Sequence, residues 1–420
     1  MTASPEPLLL RAAAVAPMDG SPILRGDVAV SVVSGRITAV GKFDPVARQV
    51  PGDPSVSDLG RAILLPGLIN AHTHLELSRG TPGDAPGSFV EWILSLPMRT
   101  GRDRPEVAAE VCAAAAIEGA AQCLRFGVTC VGDITANPAV VRPALRDGPL
   151  RVISYGEALG LGRARPRFER GLSAAIDASA ASATLSIGLS PHAPYTVDLP
   201  GYRQCLELAR EHRLPLATHL AETTDEAAFL RHQTGPLREL WEHFIPWSDD
   251  IATHCDSPVR FAHAIGLLDT PALLAHVNYC DDEELDLLAG GRASVAYCPR
   301  THAYFGHAPH RWRQMLQRGI NVVVGTDSCG SSPDLNLVDD LRLLWRRYGH
   351  AVESGVLWSR APRRAAAAVG MGDSIGTLAP GRHGDIVAFP LAADVDPLGA
   401  ILDDASIRPT AVWLGGRRAC

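Results

Sequence analysis

Two histidines one residue apart, His72 and His74, close the run Leu65-Pro66-Gly67-Leu68-Ile69-Asn70-Ala71-His72-Thr73-His74-Leu75-Glu76. Strand side chains alternate faces, so imidazoles separated by one residue leave a strand end on the same side. That is half of a metal site, because imidazole nitrogen is a preferred ligand of zinc and related divalent ions. Taken alone, such a pair is equally well explained as polar residues in a loop. Three further segments supply what the pair lacks: Thr218-His219-Leu220-Ala221-Glu222, Leu274-Ala275-His276-Val277-Asn278 and Gly325-Thr326-Asp327-Ser328. A lone histidine at any one of them reads as a hydrogen-bonded core residue. Four strand ends presenting four histidines and an aspartate together form a ligand set for a divalent ion with an open position for water. Glu222 stands three residues after His219, beyond the strand end. One reading of it is a solvated acid opening a helix from Glu222 to Leu230, favoured there by the helix dipole.

The elements that must position these residues follow from hydrophobic patterning. Residues 7 to 64 read as short β segments, Leu8 to Val15, Asp27 to Val33 and Arg36 to Val40, punctuated by glycine turns. From Ile63 onward, apolar strands alternate with helical stretches such as Pro105 to Phe126 and Pro200 to His212. The strands are Ile63 to Asn70, Val128 to Ile134, Arg151 to Glu157, Leu185 to Leu189, Leu216 to Leu220, Leu273 to Val277, Ser294 to Cys298 and Asn321 to Thr326. Eight such repeats predict an α/β fold, a (β/α)8 TIM barrel, whose active site lies at the C-terminal strand ends. Short strands return at Asp385 to Phe389 and Thr410 to Leu414. The expected organisation is 1–65 and 376–420 as two parts of a small composite β-sandwich flanking a barrel over 66–375.

Composition narrows the function classes. With 46% apolar and 20% charged residues the chain is of soluble globular type, and its net charge of −7 supplies no basic field for nucleic acid or an acidic membrane. Nine cysteines without a CxxC pair suit a reducing compartment. No signal-peptide pattern opens the chain and no apolar run approaches a membrane span, so a cytoplasmic enzyme acting on a small molecule is expected, with no nucleic-acid or membrane partner.

The segments PGLINAHTH, HLAET, LLAH and GTDS, in that order over nearly the whole chain, resemble the amidohydrolase superfamily. Within it the pattern is similar to the aminohydrolase and chlorohydrolase branch acting on nucleosides, purines and triazines. The resemblance implies His72, His74, His219 and Asp327 as metal ligands. It places His276 beside the metal-bound water, as a further ligand or a polarising group. Glu222 becomes the proton shuttle, and Asp327 also passes a proton to departing ammonia. Binuclear members generally bridge two metals through a carboxylated lysine on a barrel strand. Lys42 is the sole lysine here and precedes the barrel, so one ion is expected, Zn²⁺ by default with Fe²⁺ also suited.

Substrate-binding candidates come from the same comparison of motifs. His192 lies in Ser190-Pro191-His192-Ala193-Pro194-Tyr195, and Trp92 follows the first barrel strand at a spacing where related deaminases set a tryptophan against the substrate ring. Glu76 either meets substrate hydroxyls or anchors a loop. After the seventh strand the branch's CPxSN is replaced by Cys298-Pro299-Arg300-Thr301-His302. Arg300 offers a fork of donors suited to a carboxylate. Its other reading is an ion pair with Glu76 or another acidic loop residue, and His302 and His307 are equally open between site and structure. This segment is similar to a subgroup proposed to deaminate aminodeoxyfutalosine, an adenosine-type nucleoside with a carboxylated benzoate. The resemblance thus implies a hydrolytic deaminase in which a metal-bound hydroxide attacks an amino-bearing ring carbon and ammonia leaves. The rivals are a chlorohydrolase or cyclic-amide hydrolase on the same site, such as an imidazolonepropionase-like enzyme, and a non-catalytic barrel. A homodimer would be in keeping with related enzymes.

Overall fold

The computed structural model describes residues 6–84, 87–248, 251 and 257–420. Two sheets organise them. The first is mixed and built from both ends of the chain: β1 Leu8–Val15, β2 Leu24–Val33, β3 Arg36–Lys42, β4 Ser55–Asp58 and β5 Ala62–Pro66. The second is the barrel: β6 Leu68–Thr73, β7 Val128–Thr135, β8 Arg151–Ala158, β9 Leu185–Pro191, β10 Leu216–Leu220, β11 Ala272–His276, β12 Ser294–Tyr297 and β13 Val322–Val324. The chain then returns to the first sheet through β14 Ile386–Pro390, β15 Ala411–Leu414 and β16 Arg417–Arg418. That sheet runs β16-β15-β14-β5-β1-β2-β3, with β4 beside β1. Its apolar face buries Leu10, Val28, Val30, Leu64, Ile386 and Trp413 as a separate small core.

The barrel strands pair in parallel and in chain order from β6 to β13. Closure between the last and the first is thin: a single bridge joins Thr73 to Asp327. There the Asp327 N–H donates to His72 O at 3.1 Å, and Thr73 Oγ1 donates to Asp327 O at 2.9 Å. Every strand from β6 to β13 except β9 is buried at every position, which is why these segments read as continuous apolar runs rather than alternating ones. Ile69, Cys130, Ile153, Tyr155, Leu273 and Val323 pack together in one buried cluster.

One expected strand, Ile63 to Asn70, is two. Gly67 divides it: β5 pairs antiparallel with β14 in the first sheet, and β6 opens the barrel. The junction is possible because residue 67 has no side chain. A Cβ there would stand 2.1 Å from Thr129 Oγ1. A second close approach positions the turn after β6. In the helix Ala108–Arg125, buried Cys112, Ala115, Ala116, Gly119 and Cys123 recur at helical spacing. A Cβ on Gly119 would stand 2.2 Å from Ser78 Oγ, so this helix lies directly against the turn that carries His74 and Glu76. No helix among the described residues is long and apolar enough to cross a membrane.

Candidate active site

Four imidazoles converge at the C-terminal end of the barrel. The ring centroids of His72 lie 5.1 Å from those of His74 and His219 and 5.3 Å from that of His276. Asp327 completes the group, with Oδ1 3.8 Å from His72 Nε2 and 3.6 Å from His74 Nε2. The backbone is bent to achieve this. Ala221, His276, Val277 and Asp327 all have positive φ, at 51°, 72°, 49° and 57°. Non-glycine residues held in that region cost about 1–3 kcal/mol each and cluster where function over-determines the geometry. At these positions the left-handed conformation turns the chain out of the strand instead of continuing it.

The donor set fits a divalent cation. Both ring nitrogens of His72 are buried without a hydrogen-bond partner, a condition an ordinary core histidine avoids. His219 Nδ1 faces the carbonyl of His192 at 3.2 Å, which assigns the proton to Nδ1 and leaves the Nε2 lone pair inward. That lone pair lies 3.3 Å from His74 Nε2. Burial and the neighbouring histidines hold His72, His74 and His276 well below the usual imidazole range, and burial takes His219 down to about 4. All four are therefore neutral at neutral pH, the form in which an imidazole can bind a metal. Burial pushes Asp327 up to about 6, so it is largely ionised at neutral pH.

Glu222 lies outside the helix expected to begin with it. The helix spans Thr224–His232, and its first turn carries Asp225 and Glu226 instead. Glu222 Oε1 stands 3.4 Å from His276 Nε2. Its backbone is fixed on both sides: Glu222 N–H donates to Glu226 Oε2 at 2.9 Å, and Asn278 Nδ2 donates to Glu222 O at 2.9 Å. Burial first, then the Asp327 and Glu226 carboxylates, hold its carboxyl well above the usual range.

A cavity of about 420 Å³ opens from this cluster. One wall is apolar, with Phe89, Trp92, Leu96, Tyr195, Leu240 and Trp241; another is polar, with Glu76, Arg102, Glu157, Arg167 and His192. Trp92 is held in place by Nε1 donating to Gly330 O at 2.9 Å. A larger groove of about 1030 Å³, bounded by Ser186, Arg203 and Leu216, lies at the N-terminal ends of β9 and β10 and contains none of the expected site residues.

The residues fall within a known pattern: positions 63–418 match the amidohydrolase family. The chain belongs to that family. A 5-methylthioadenosine/S-adenosylhomocysteine deaminase of Nitratidesulfovibrio vulgaris (strain DP4) is 31% identical over 402 residues, covering 92% of this chain and 84% of the relative. Among solved structures, the aminofutalosine deaminase of Helicobacter pylori in complex with methylthio-coformycin superposes with a TM-score of 0.83 at 22% identity, over 98% of this chain and all (100%) of that one. An adenosine deaminase from Xanthomonas campestris with bound zinc gives 0.80 at 24% identity, over 98% and 92%.

Two expected substrate contacts of this amidohydrolase are corrected. Arg300 does not line the cavity. Its Nε donates to Asp340 Oδ2 at 2.9 Å, its Nη1 to Asp334 Oδ1 at 2.6 Å, and its Nη2 to the carbonyls of Asp334 and Asn336. With Nε, Nη1 and Nη2 all bonded within the protein, the guanidinium does not present its fork of donors to the cavity. His302 is also turned away: buried, its Nε2 donates to Ala308 O at 2.8 Å. His307 Nδ1 pairs with the Tyr279 hydroxyl at 3.0 Å. Glu76 lines the cavity, but its carboxylate accepts from Thr135 at 2.8 Å, Asn137 at 3.1 Å and Arg102 at 3.3 Å, which is the loop-anchoring alternative. Two buried acids went unnoticed in the sequence. Asp133 accepts the Leu75 N–H at 2.8 Å and so fixes the turn after His74. Glu157 faces the cavity at the end of β8. Both could have been found, since each lies at or next to the C-terminal end of an expected barrel strand.

Proposed function

We propose that this amidohydrolase is a hydrolytic deaminase of an adenosine-type nucleoside derivative. It uses one divalent ion, Zn²⁺ by preference over Fe²⁺, with His72, His74, His219 and Asp327 as its ligands. The observation that carries the reading is the clustering of Glu222, His276 and Asp327, their ligand atoms within 4.8 Å of one another, in a cavity with an apolar, aromatic wall. The cation, when bound, supplies the Lewis acidity that brings a water's pKa towards neutrality. The remaining work belongs to the chain. Glu222 takes a proton from the attacking water and gives it to a ring nitrogen, so the ring accepts the oxygen at the amino-bearing carbon. His276 orients that water. Asp327 receives its second proton and returns it to the leaving amine, and ammonia departs as the carbon becomes a carbonyl. Trp92 and Phe89 supply a face for a planar ring, and His192 a polar contact beside it. The deaminase activity named for the Nitratidesulfovibrio relative supports the same class of substrate.

The test is ammonia release by zinc-loaded protein from adenosine, S-adenosylhomocysteine, aminodeoxyfutalosine, guanine, cytosine and an aminotriazine. Turnover of the adenosine derivatives is the expected result. Silence on all of them, with one metal bound per chain, would move the assignment to a hydrolase that releases chloride or opens a cyclic amide.

A further inference from the structure

The polar wall of the cavity contains one carboxyl that the fold does not use. Glu157 is buried, yet its Oε1 has no hydrogen-bond partner. His192 Nε2 stands 3.7 Å from it, beyond hydrogen-bonding reach. Glu76, the other buried acid on this wall, is already satisfied by Thr135, Asn137 and Arg102. A buried carboxyl retained for the fold alone would be paired, because an unpaired one costs free energy and returns nothing.

The chemistry of the gap between Glu157 and His192 specifies what fills it. Thr196 Oγ1 donates its only proton to Ala193 O at 3.0 Å, so the 2.7 Å contact between His192 Nδ1 and Thr196 Oγ1 places the imidazole proton on Nδ1. His192 Nε2 is therefore an acceptor. Opposite it stands the unpartnered Glu157 Oε1. A group between them must donate to Nε2 while meeting a carboxyl oxygen, which describes a hydroxyl better than a ring nitrogen. The position agrees: His192 packs against His219, with ring centroids 4.9 Å apart, and Glu157 lies on β8, further round the barrel from the Glu222 and Asp327 side. A ring reacting beside Glu222 would direct its sugar towards Glu157.

We infer that Glu157, with His192, is a specificity-determining residue that binds a sugar hydroxyl of the nucleoside. This rests on the deaminase reading above and adds to it a requirement for the sugar. The experiment compares adenosine with 9-ethyladenine, which keeps the reacting ring and lacks every hydroxyl. In Glu157→Ala, KM for adenosine should rise roughly tenfold to a hundredfold with kcat little changed, as for a lost substrate hydrogen bond. The kinetic constants for 9-ethyladenine should stay within about twofold of the parent. Glu157→Gln, which keeps the volume and can still donate and accept, should fall between the parent and the alanine variant. An equal loss on both substrates, or no loss on adenosine, would overturn the role of Glu157 while leaving the deaminase assignment standing. A parent enzyme silent on adenosine and on every other adenosine derivative of the panel would remove the deaminase reading and this inference with it.

Discussion

Glu222 faces a conflict that a cation resolves. Buried beside Asp327 and Glu226, its carboxyl is held well above the usual range, which favours the protonated form. A divalent charge beside it reverses that balance and favours the carboxylate, the form able to take a proton from water. Glu222→Gln removes this exchange while keeping shape. It should retain one metal per chain by elemental analysis and lose about 10²–10⁴ in kcat; retained turnover would remove Glu222 from the proton path. Arg300 illustrates a different economy. Its partner Asp340 is fully buried, and burial lifts that carboxyl to about 6 even with the guanidinium beside it. Removing one member of a buried pair strands the other, at about 3–5 kcal/mol. Arg300→Leu should therefore lower the denaturant midpoint by a corresponding amount. It should leave unchanged the ratio of kcat/KM for carboxylated over neutral nucleosides; a selective loss on the carboxylated substrate would restore Arg300 as a binding residue.

At the scale of elements, the segment after β12 is a structural clamp rather than a substrate loop. The short helix Pro299–Tyr304 is tied through Arg300 to the start of the helix Leu337–Tyr348, where Asp340 lies. His302 closes the following turn onto Ala308, and His310 donates to the carbonyl of His276 at 2.9 Å. Either ring could still donate when protonated; it is burial that disfavours the charged form and takes His302 down to about 4. Because its folded pKa lies below the unfolded value of 6.5, its stabilisation is complete above pH 6.5 and is lost as pH falls towards 4. In that window His302 adds at most about 1.4 kcal/mol per pH unit to the slope of unfolding free energy. Urea unfolding at pH 7, 6 and 5 should show a shallower slope in His302→Gln than in the parent. Equal slopes would mean that His302 titrates normally in the folded protein.

For the whole molecule, the barrel seam and the metal site are the same place. β6 and β13 meet through one bridge, and the cation's expected ligands come from both sides of it, His72 and His74 on one and Asp327 on the other. A bound ion would therefore join the first and last strands where backbone pairing is thinnest. Chelation should lower the melting temperature, and zinc restored at a hundred times its Kd should return about 2.7 kcal/mol. Scanning calorimetry with and without chelator measures this. Unchanged melting after verified metal removal would place the ion elsewhere or show that the seam does not need it.

Local information was enough for the strand order, the barrel and the converging histidines, because strand periodicity and polar residues at strand ends are written within a few neighbouring positions. It was enough to place Glu222 near the histidines too, through its spacing from His219. It could not decide where one sheet ends and another begins: the apolar run across Gly67 is unbroken, and only contact with Thr129 shows why the chain changes sheets there. Nor could it decide the fate of isolated charges. Arg300 and Glu157 are both charged residues next to or at expected strand ends, equally plausible as substrate contacts. Packing brings Asp334 and Asp340 to the first and leaves the second without a partner. Whether a buried charge serves the fold or a ligand depends on partners distant in the chain, and those are chosen only when the helices and strands come together.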